Sequence, residues 1–77
     1  MKPEYSKTAA RAIERINNPD KQRIRDAINN LPFGDVKKLT GYTNAYRLRV
    51  GDYRILFDMD IKIKITNILP RGDAYKK

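Results

Sequence analysis

Arginine and tyrosine side chains in the second half of the chain have the types and spacing for chemistry on a phosphate. Arg47, Arg49 and Arg54 occur close together, and Arg71 and Tyr75 follow near the C-terminus. Guanidinium groups match phosphate oxygens and can stabilise the negative charge of a pentacoordinate transition state. RNA supplies its own nucleophile, the 2′-hydroxyl, so its cleavage would mainly need a proton-transfer group. Tyr75 is the best candidate, because arginine stays protonated.

The residue types that are absent limit this chemistry further. The sequence contains no histidine and no cysteine, which are the commonest general base and two of the commonest metal ligands. It also shows no acidic cluster suited to Mg²⁺. We therefore expect catalysis without a metal or a cofactor.

The net charge predicts a polyanionic partner. The chain has 17 Lys and Arg against 9 Asp and Glu, a net charge of +8. Residues 1–35 carry only +2, and residues 36–77 carry +6. A solvated surface is the ordinary explanation for a small excess, but this concentration favours a nucleic-acid-binding surface. The lysines that could contact RNA are Lys37, Lys38, Lys62, Lys64, Lys76 and Lys77.

Two short amphipathic helices are expected before the arginines. Ser6 can cap the first helix, in which Ala9, Ile13 and Ile16 form an apolar face. Pro19 ends this helix region and can begin the next. The second apolar face consists of Ile24, Ala27, Ile28 and Leu31. The two should form an antiparallel helical hairpin, and the segment before Ser6 could be a short edge strand.

A period of two then predicts a β-hairpin. Residues 46–50 and 53–57 alternate between apolar and mainly basic side chains on either side of a Gly51-Asp52 turn. This register places Val50 opposite Tyr53 and Arg49 opposite Arg54. Like charges directly opposite each other destabilise a sheet. The sequence shows no acidic partner for the arginines before Asp58, so this face is expected to serve a function.

The third strand of the predicted meander runs from about residue 62 to residue 69. A loop at residues 59–61 places Ile63 opposite Phe57 and Ile65 opposite Ile55, which buries both isoleucines. The same register places Lys62 and Lys64 on the face of the arginines. Residues 33–44 are interpreted as a connection.

Together these elements predict a single α+β domain over residues 1–77. The N-terminal helical hairpin, with or without a preceding short strand, packs on a three- to four-stranded, mainly antiparallel sheet. No secretory signal or membrane span is visible. The lack of cysteine fits a reducing compartment, so we expect a cytoplasmic protein.

Three segments carry a resemblance to a known family. They are VKKLTG at residues 36–41, YRLRVGDYRILF at residues 46–57, and the end from Arg71 to Tyr75 and Lys76. With the helical hairpin and the meander in the same order, they resemble the RelE/ParE superfamily of toxins from bacterial and archaeal type II toxin–antitoxin pairs. The resemblance covers nearly the whole chain.

The resemblance implies a function and a role for each site residue. A RelE-like mRNA interferase is a metal-independent endoribonuclease that cleaves mRNA in the ribosomal A site and inhibits translation. Arg47 and Arg49 would occupy two basic positions that are often lysine in this branch. Arg54 would stabilise the transition state, Arg71 would supply the last basic group, and Tyr75 would transfer protons. The implied partners are the ribosome, mRNA and a small, acidic, RelB-like antitoxin.

Two other functions stay open at this point. A ParE-like toxin binds DNA gyrase and is not a nuclease, and that branch generally lacks the combined basic and tyrosine set. A non-enzymatic RNA-binding module would explain the charge but would leave Tyr75 without a role.

Overall fold

Residues 2–70, the part of the chain that the computed structural model describes, form two helices and a five-stranded sheet. In chain order, the elements are β1 (Glu4–Tyr5), α1 (Lys7–Glu14), α2 (Asp20–Asn29), β2 (Val36–Lys38), β3 (Ala45–Val50), β4 (Tyr53–Met59) and β5 (Ile63–Pro70). The strands lie in the order β1-β5-β4-β3-β2. Only the β1–β5 pair is parallel. The predicted α+β class is therefore confirmed.

The sheet has more strands than the sequence pattern indicated. The short strand before Ser6 is present and pairs Tyr5 with Ile65. The expectation that residues 33–44 are only a connection was wrong, because β2 lies within them and pairs Lys37 with Arg47. A strand of three residues is too short to show a period of two.

Ser6 joins the first helix to the sheet. Its side-chain oxygen accepts a hydrogen bond from the backbone N–H of Ala9 at 3.0 Å, as the predicted N-cap should. The same hydroxyl donates to the backbone carbonyl of Thr66 at 3.0 Å. Both ends of this contact are partly buried, so Ser6 fixes the start of α1 against β5.

Both helices cover the same face of the sheet. Helix α1 packs mainly over β5, and α2 packs over β3. An ion pair between Arg25 and Glu14, 3.6 Å apart, links the two helices. The buried core consists of Ala9, Ile13, Ile16, Ile24, Ile28, Leu31, Leu48, Ile55, Phe57, Ile63, Ile65 and Ile68. The helix faces predicted from the sequence therefore supply half of the core.

The register of β3 and β4 agrees with the prediction. Val50 pairs with Tyr53, Arg49 with Arg54, and Leu48 with Ile55. Gly51 in the turn has a φ of +56°, a conformation that glycine adopts without strain. The helix-facing residues of both strands are apolar, and Tyr46 stacks on Phe57 with ring centroids 5.5 Å apart.

The predicted register of β4 and β5 was wrong by two residues, although Ile63 and Ile65 are buried as expected. Phe57 pairs with Ile65, and the loop occupies residues 60–62. The register then shifts by one residue next to Leu56, so Ile68 lies opposite Ile55. Because β5 has one extra residue at this point, its buried residues change from odd-numbered positions, Ile63 and Ile65, to an even-numbered position, Ile68.

Candidate functional site

The face of the sheet that points away from the helices carries three adjacent arginines, Arg47, Arg49 and Arg54, which we call the arginine cluster. Arg49 and Arg54 lie directly opposite each other on β3 and β4. Arg47 lies two residues from Arg49 on the same side of β3. Strand geometry therefore holds the three β-carbons within about 8 Å of one another. The alternating sequence pattern predicted that these residues lie on one face of the sheet, and the register of β3 and β4 confirms it.

The members of the arginine cluster differ in their exposure to solvent. Arg54 is only 4% exposed. The side chain of Arg47 is 16% exposed, and that of Arg49 is 48% exposed. Arg49 therefore presents the most accessible cation, whereas Arg54 is held inside the surface. The sequence pattern predicted that the three arginines share one face of the sheet and could not show this gradation.

Asp35 lies against the arginine cluster, which corrects the expectation that the arginines have no acidic partner before Asp58. One carboxylate oxygen, Oδ1, lies 3.6 Å from Nη1 of Arg47, and Oδ2 lies 4.0 Å from Nε of Arg49. The backbone carbonyl of Asp35 also accepts a hydrogen bond from Nη1 of Arg47 at 3.4 Å. One carboxylate thus offsets part of the repulsion between two arginines.

The turn before β2 fixes the position of Asp35. Gly34 has a φ of +115°, which favours glycine. The carbonyl of Gly34 accepts a hydrogen bond from the N–H of Val36 at 2.9 Å. The carbonyl of Asp35 accepts one from the N–H of Arg49 at 3.0 Å. This turn therefore anchors the backbone of Asp35 to β3, beside the arginine cluster.

The opposite end of this face has mixed charge. Lys64 lies opposite Asp58 and beside Glu4 in the sheet. Lys62 lies in the loop before β5, not on the strand as expected, and its Nζ is 4.0 Å from a carboxylate oxygen of Glu4. Asp58 follows Arg54 by four residues, about 13 Å along a strand. Lys62 and Lys64 are therefore separate from the arginine cluster.

Two of the remaining predicted site residues, Lys37 and Lys38, lie on β2 and point to opposite faces of the sheet. Lys37 lies opposite Arg47 and adds an exposed cation to the edge of the arginine cluster. Lys38 lies opposite Tyr46, whose ring stacks in the apolar layer, so Lys38 belongs to the helix side of the sheet. Four predicted site residues lie outside residues 2–70: Arg71, Tyr75, Lys76 and Lys77.

Within residues 2–70, no group of three or more histidine, cysteine, aspartate or glutamate side chains is arranged to hold a metal ion. None of the helices in that same stretch is long and apolar enough to cross a membrane.

Asp35 is the residue of this site that sequence reasoning missed. It lies outside any periodic pattern, because it precedes a strand of only three residues. One signal was available: Gly34 and Asp35 form a turn-prone pair immediately before the basic segment Val36–Lys38.

Known proteins are similar to this chain, although no protein-family model matches it. A curated relative, toxin RelE3 from Methanocaldococcus jannaschii, is 34% identical, and the alignment covers 97% of this chain and 96% of that protein.

Two solved structures are also similar to this chain in sequence and fold, and a third is similar in fold. The RelB–RelE antitoxin–toxin complex from Methanococcus jannaschii contains a chain with a TM-score of 0.78 and 30% identity, covering 94% of each chain. The RelE–RelB complex from Pyrococcus horikoshii gives a TM-score of 0.73 and 30% identity, over 92% of this chain and 94% of that one. The RelBE2 complex from Mycobacterium tuberculosis, at 18% identity and a TM-score of 0.77 over 91% and 96%, is similar in fold.

Proposed function

The chain belongs to the RelE family of toxins, and we propose that it is a metal-independent, ribosome-dependent endoribonuclease that cleaves mRNA in the ribosomal A site. The observation that carries this proposal is the convergence of Arg47, Arg49 and Arg54 on one face of the sheet. Family membership alone would not require these arginines. Their position on one face, in a chain with a net charge of +8, supports a role in binding phosphate.

In this proposal the arginine cluster binds the scissile phosphate and stabilises its transition state. Arg49 makes the first contact, because it is the most exposed of the three. Arg54 is fixed by its burial before the substrate arrives, so it can stabilise developing charge with little reorganisation.

The reaction itself uses the RNA's own nucleophile. The 2′-oxygen attacks phosphorus, the bond to the 5′-oxygen breaks, and a 2′,3′-cyclic phosphate and a 5′-hydroxyl result. One proton leaves the 2′-hydroxyl and one is taken up by the 5′-oxygen. We assign the proton-transfer role to Tyr75 and a further phosphate contact to Arg71, both from the family resemblance.

We also propose that an acidic, RelB-like antitoxin neutralises the toxin. Two of the similar solved structures, at 30% identity, are complexes of RelE with the antitoxin RelB. A basic protein of this size presents a surface to which an acidic, partly disordered chain can bind by charge complementarity.

The experiment that tests the nuclease is cleavage mapping of an mRNA in a reconstituted translation reaction, with naked mRNA in parallel. Wild-type protein should cut only the translated message. Arg49→Ala and Arg54→Ala should each reduce cutting at least about 100-fold, as expected for loss of one transition-state contact. Arg23→Ala is the matched control, because Arg23 is exposed on α2 and pairs with Asp20 at 3.6 Å. Tyr75→Phe should keep ribosome binding and lose cleavage.

Arg54 is buried, so Arg54→Ala could lower activity by unfolding the protein. Arg49→Ala avoids this difficulty because Arg49 is half exposed. Full activity of folded Arg49→Ala and Tyr75→Phe would contradict the assigned roles. Absence of cuts in wild-type samples, together with inhibition of DNA gyrase, would replace the proposal with the gyrase-binding function.

A further inference from the structure

The carboxylate of Asp35 contacts two of the guanidinium groups that would bind a phosphate in the proposed function. Its two carboxylate oxygens are divided between Nη1 of Arg47 and Nε of Arg49. A phosphate would approach the same guanidinium groups through the same kind of charge-assisted contact. The carboxylate and an RNA phosphate therefore compete for these two arginines.

A backbone hydrogen bond holds Asp35 beside the arginines, while its side chain stays exposed to solvent. The carbonyl of Asp35 accepts the N–H of Arg49 at 3.0 Å, so the residue cannot move away from β3 without breaking a sheet contact. Its side chain is nevertheless 57% exposed. A displaced carboxylate can thus rotate into water and remain solvated, which makes displacement feasible for a ligand that binds the arginines more strongly.

The charges around Asp35 determine how tightly a ligand must bind to displace its carboxylate. Lys37, opposite Arg47, and Arg54, opposite Arg49, add positive charge around the same point. Exposed ion pairs are weak, because water screens the two charges. Asp35 therefore weakens phosphate binding moderately rather than blocking it.

We infer that Asp35 limits the affinity of the arginine cluster for RNA, because its carboxylate competes with phosphates for Arg47 and Arg49. This inference rests on the proposed function of the arginine cluster. In this inference, the acidic side chain of Asp35 lowers the affinity of the protein for RNA.

The test compares Asp35→Asn with wild type in the full-length protein. Asparagine keeps the size and the backbone contacts of Asp35 and removes its charge. The probe is a short, fluorescein-labelled 2′-O-methyl oligonucleotide, which lacks the nucleophile and cannot be cleaved. Asp60→Asn is the matched control, because it makes the same charge change at an exposed position in the loop before β5. Thermal unfolding confirms that each variant is folded.

The expected result is tighter binding by Asp35→Asn, by about 3- to 10-fold, and less than about 2-fold for Asp60→Asn. The dependence of log K on log salt concentration should steepen by about 0.7 for each additional phosphate neutralised. In an Arg49→Gln background the gain from Asp35→Asn should shrink, which a general change in net charge would not produce.

Each contrary result has a separate meaning. Equal effects of Asp35→Asn and Asp60→Asn would overturn the inference in favour of net charge alone. Weaker binding by folded Asp35→Asn would overturn it in favour of a role in holding the arginines in place. The inference would fail alone if Arg47→Gln and Arg49→Gln weaken binding but Asp35→Asn has no effect. If none of these variants changes binding, the proposed function of the arginine cluster fails as well.

Discussion

Replacing Gly34 by alanine should destabilise the protein through the turn that positions Asp35. Gly34 has a φ of +115°, a conformation that residues with a β-carbon rarely adopt. A β-carbon built at this position would lie 3.1 Å from Cδ1 of Leu48. Leu48 is only 1% exposed and belongs to the core, so it has little freedom to move away.

The size of the effect follows from these two contributions. A non-glycine residue in such a sparsely populated backbone region costs about 1–3 kcal/mol. Crowding of a packed core side chain adds about 1 kcal/mol, since the overlap is only a few tenths of an ångström. The sum is about 2–4 kcal/mol, against about 4–12 kcal/mol for the total stability of a chain of this length. For a domain of this size the Tm should fall by about 8–32 °C.

Gly41→Ala provides the matched control. Gly41 also has a positive φ, +86°, but a β-carbon there would have no neighbour within 4 Å. Gly41→Ala should therefore show the backbone strain alone, and the difference between the two variants isolates the contact with Leu48. Urea and thermal unfolding, followed by circular dichroism at neutral pH, give both values.

Two outcomes would refute this reasoning. A Tm for Gly34→Ala within about 2 °C of wild type would show that the turn relaxes without cost. Equal losses for Gly34→Ala and Gly41→Ala would show that the close approach to Leu48 does not contribute.

Two further changes test how the N-terminal segment is attached to the sheet. Ser6→Ala should lower the unfolding free energy by about 1–2 kcal/mol, measured by urea denaturation, because it removes both the cap at Ala9 and the bond to the carbonyl of Thr66; Ser6→Thr, which keeps the hydroxyl, should lose less. Burial raises the pKa of Tyr5 above its ordinary value of 10.0, and the nearby Arg25 opposes this only partly. Because the unfolded chain then ionises first, stability should be full below pH 10 and fall as the pH rises above it. Tyr5→Phe should remove this part of the loss of stability at alkaline pH. The prediction would be contradicted if the unfolding free energy of Tyr5→Phe, measured by urea denaturation, has the same pH dependence as that of wild type.

The hairpin of β3 and β4 was predictable because two independent constraints agree on its register. The alternation of residues 46–57 requires one apolar face, and the Gly51-Asp52 turn fixes which residues lie opposite each other. The helix faces were predictable for a similar reason, since their apolar residues recur at helical spacing. Local patterns suffice where burial and turn geometry specify the same answer.

The errors occur where no local pattern operates. The register of β5 depends on an irregularity next to Leu56, where β5 changes which of its residues face the core. Thr66 stabilises this point through a hydrogen bond from its hydroxyl to the carbonyl of Leu56 at 3.1 Å. Asp35 was missed because its contacts cross 12 residues of sequence to reach Arg47. Both features arise from tertiary packing, so propensity and periodicity could not show them.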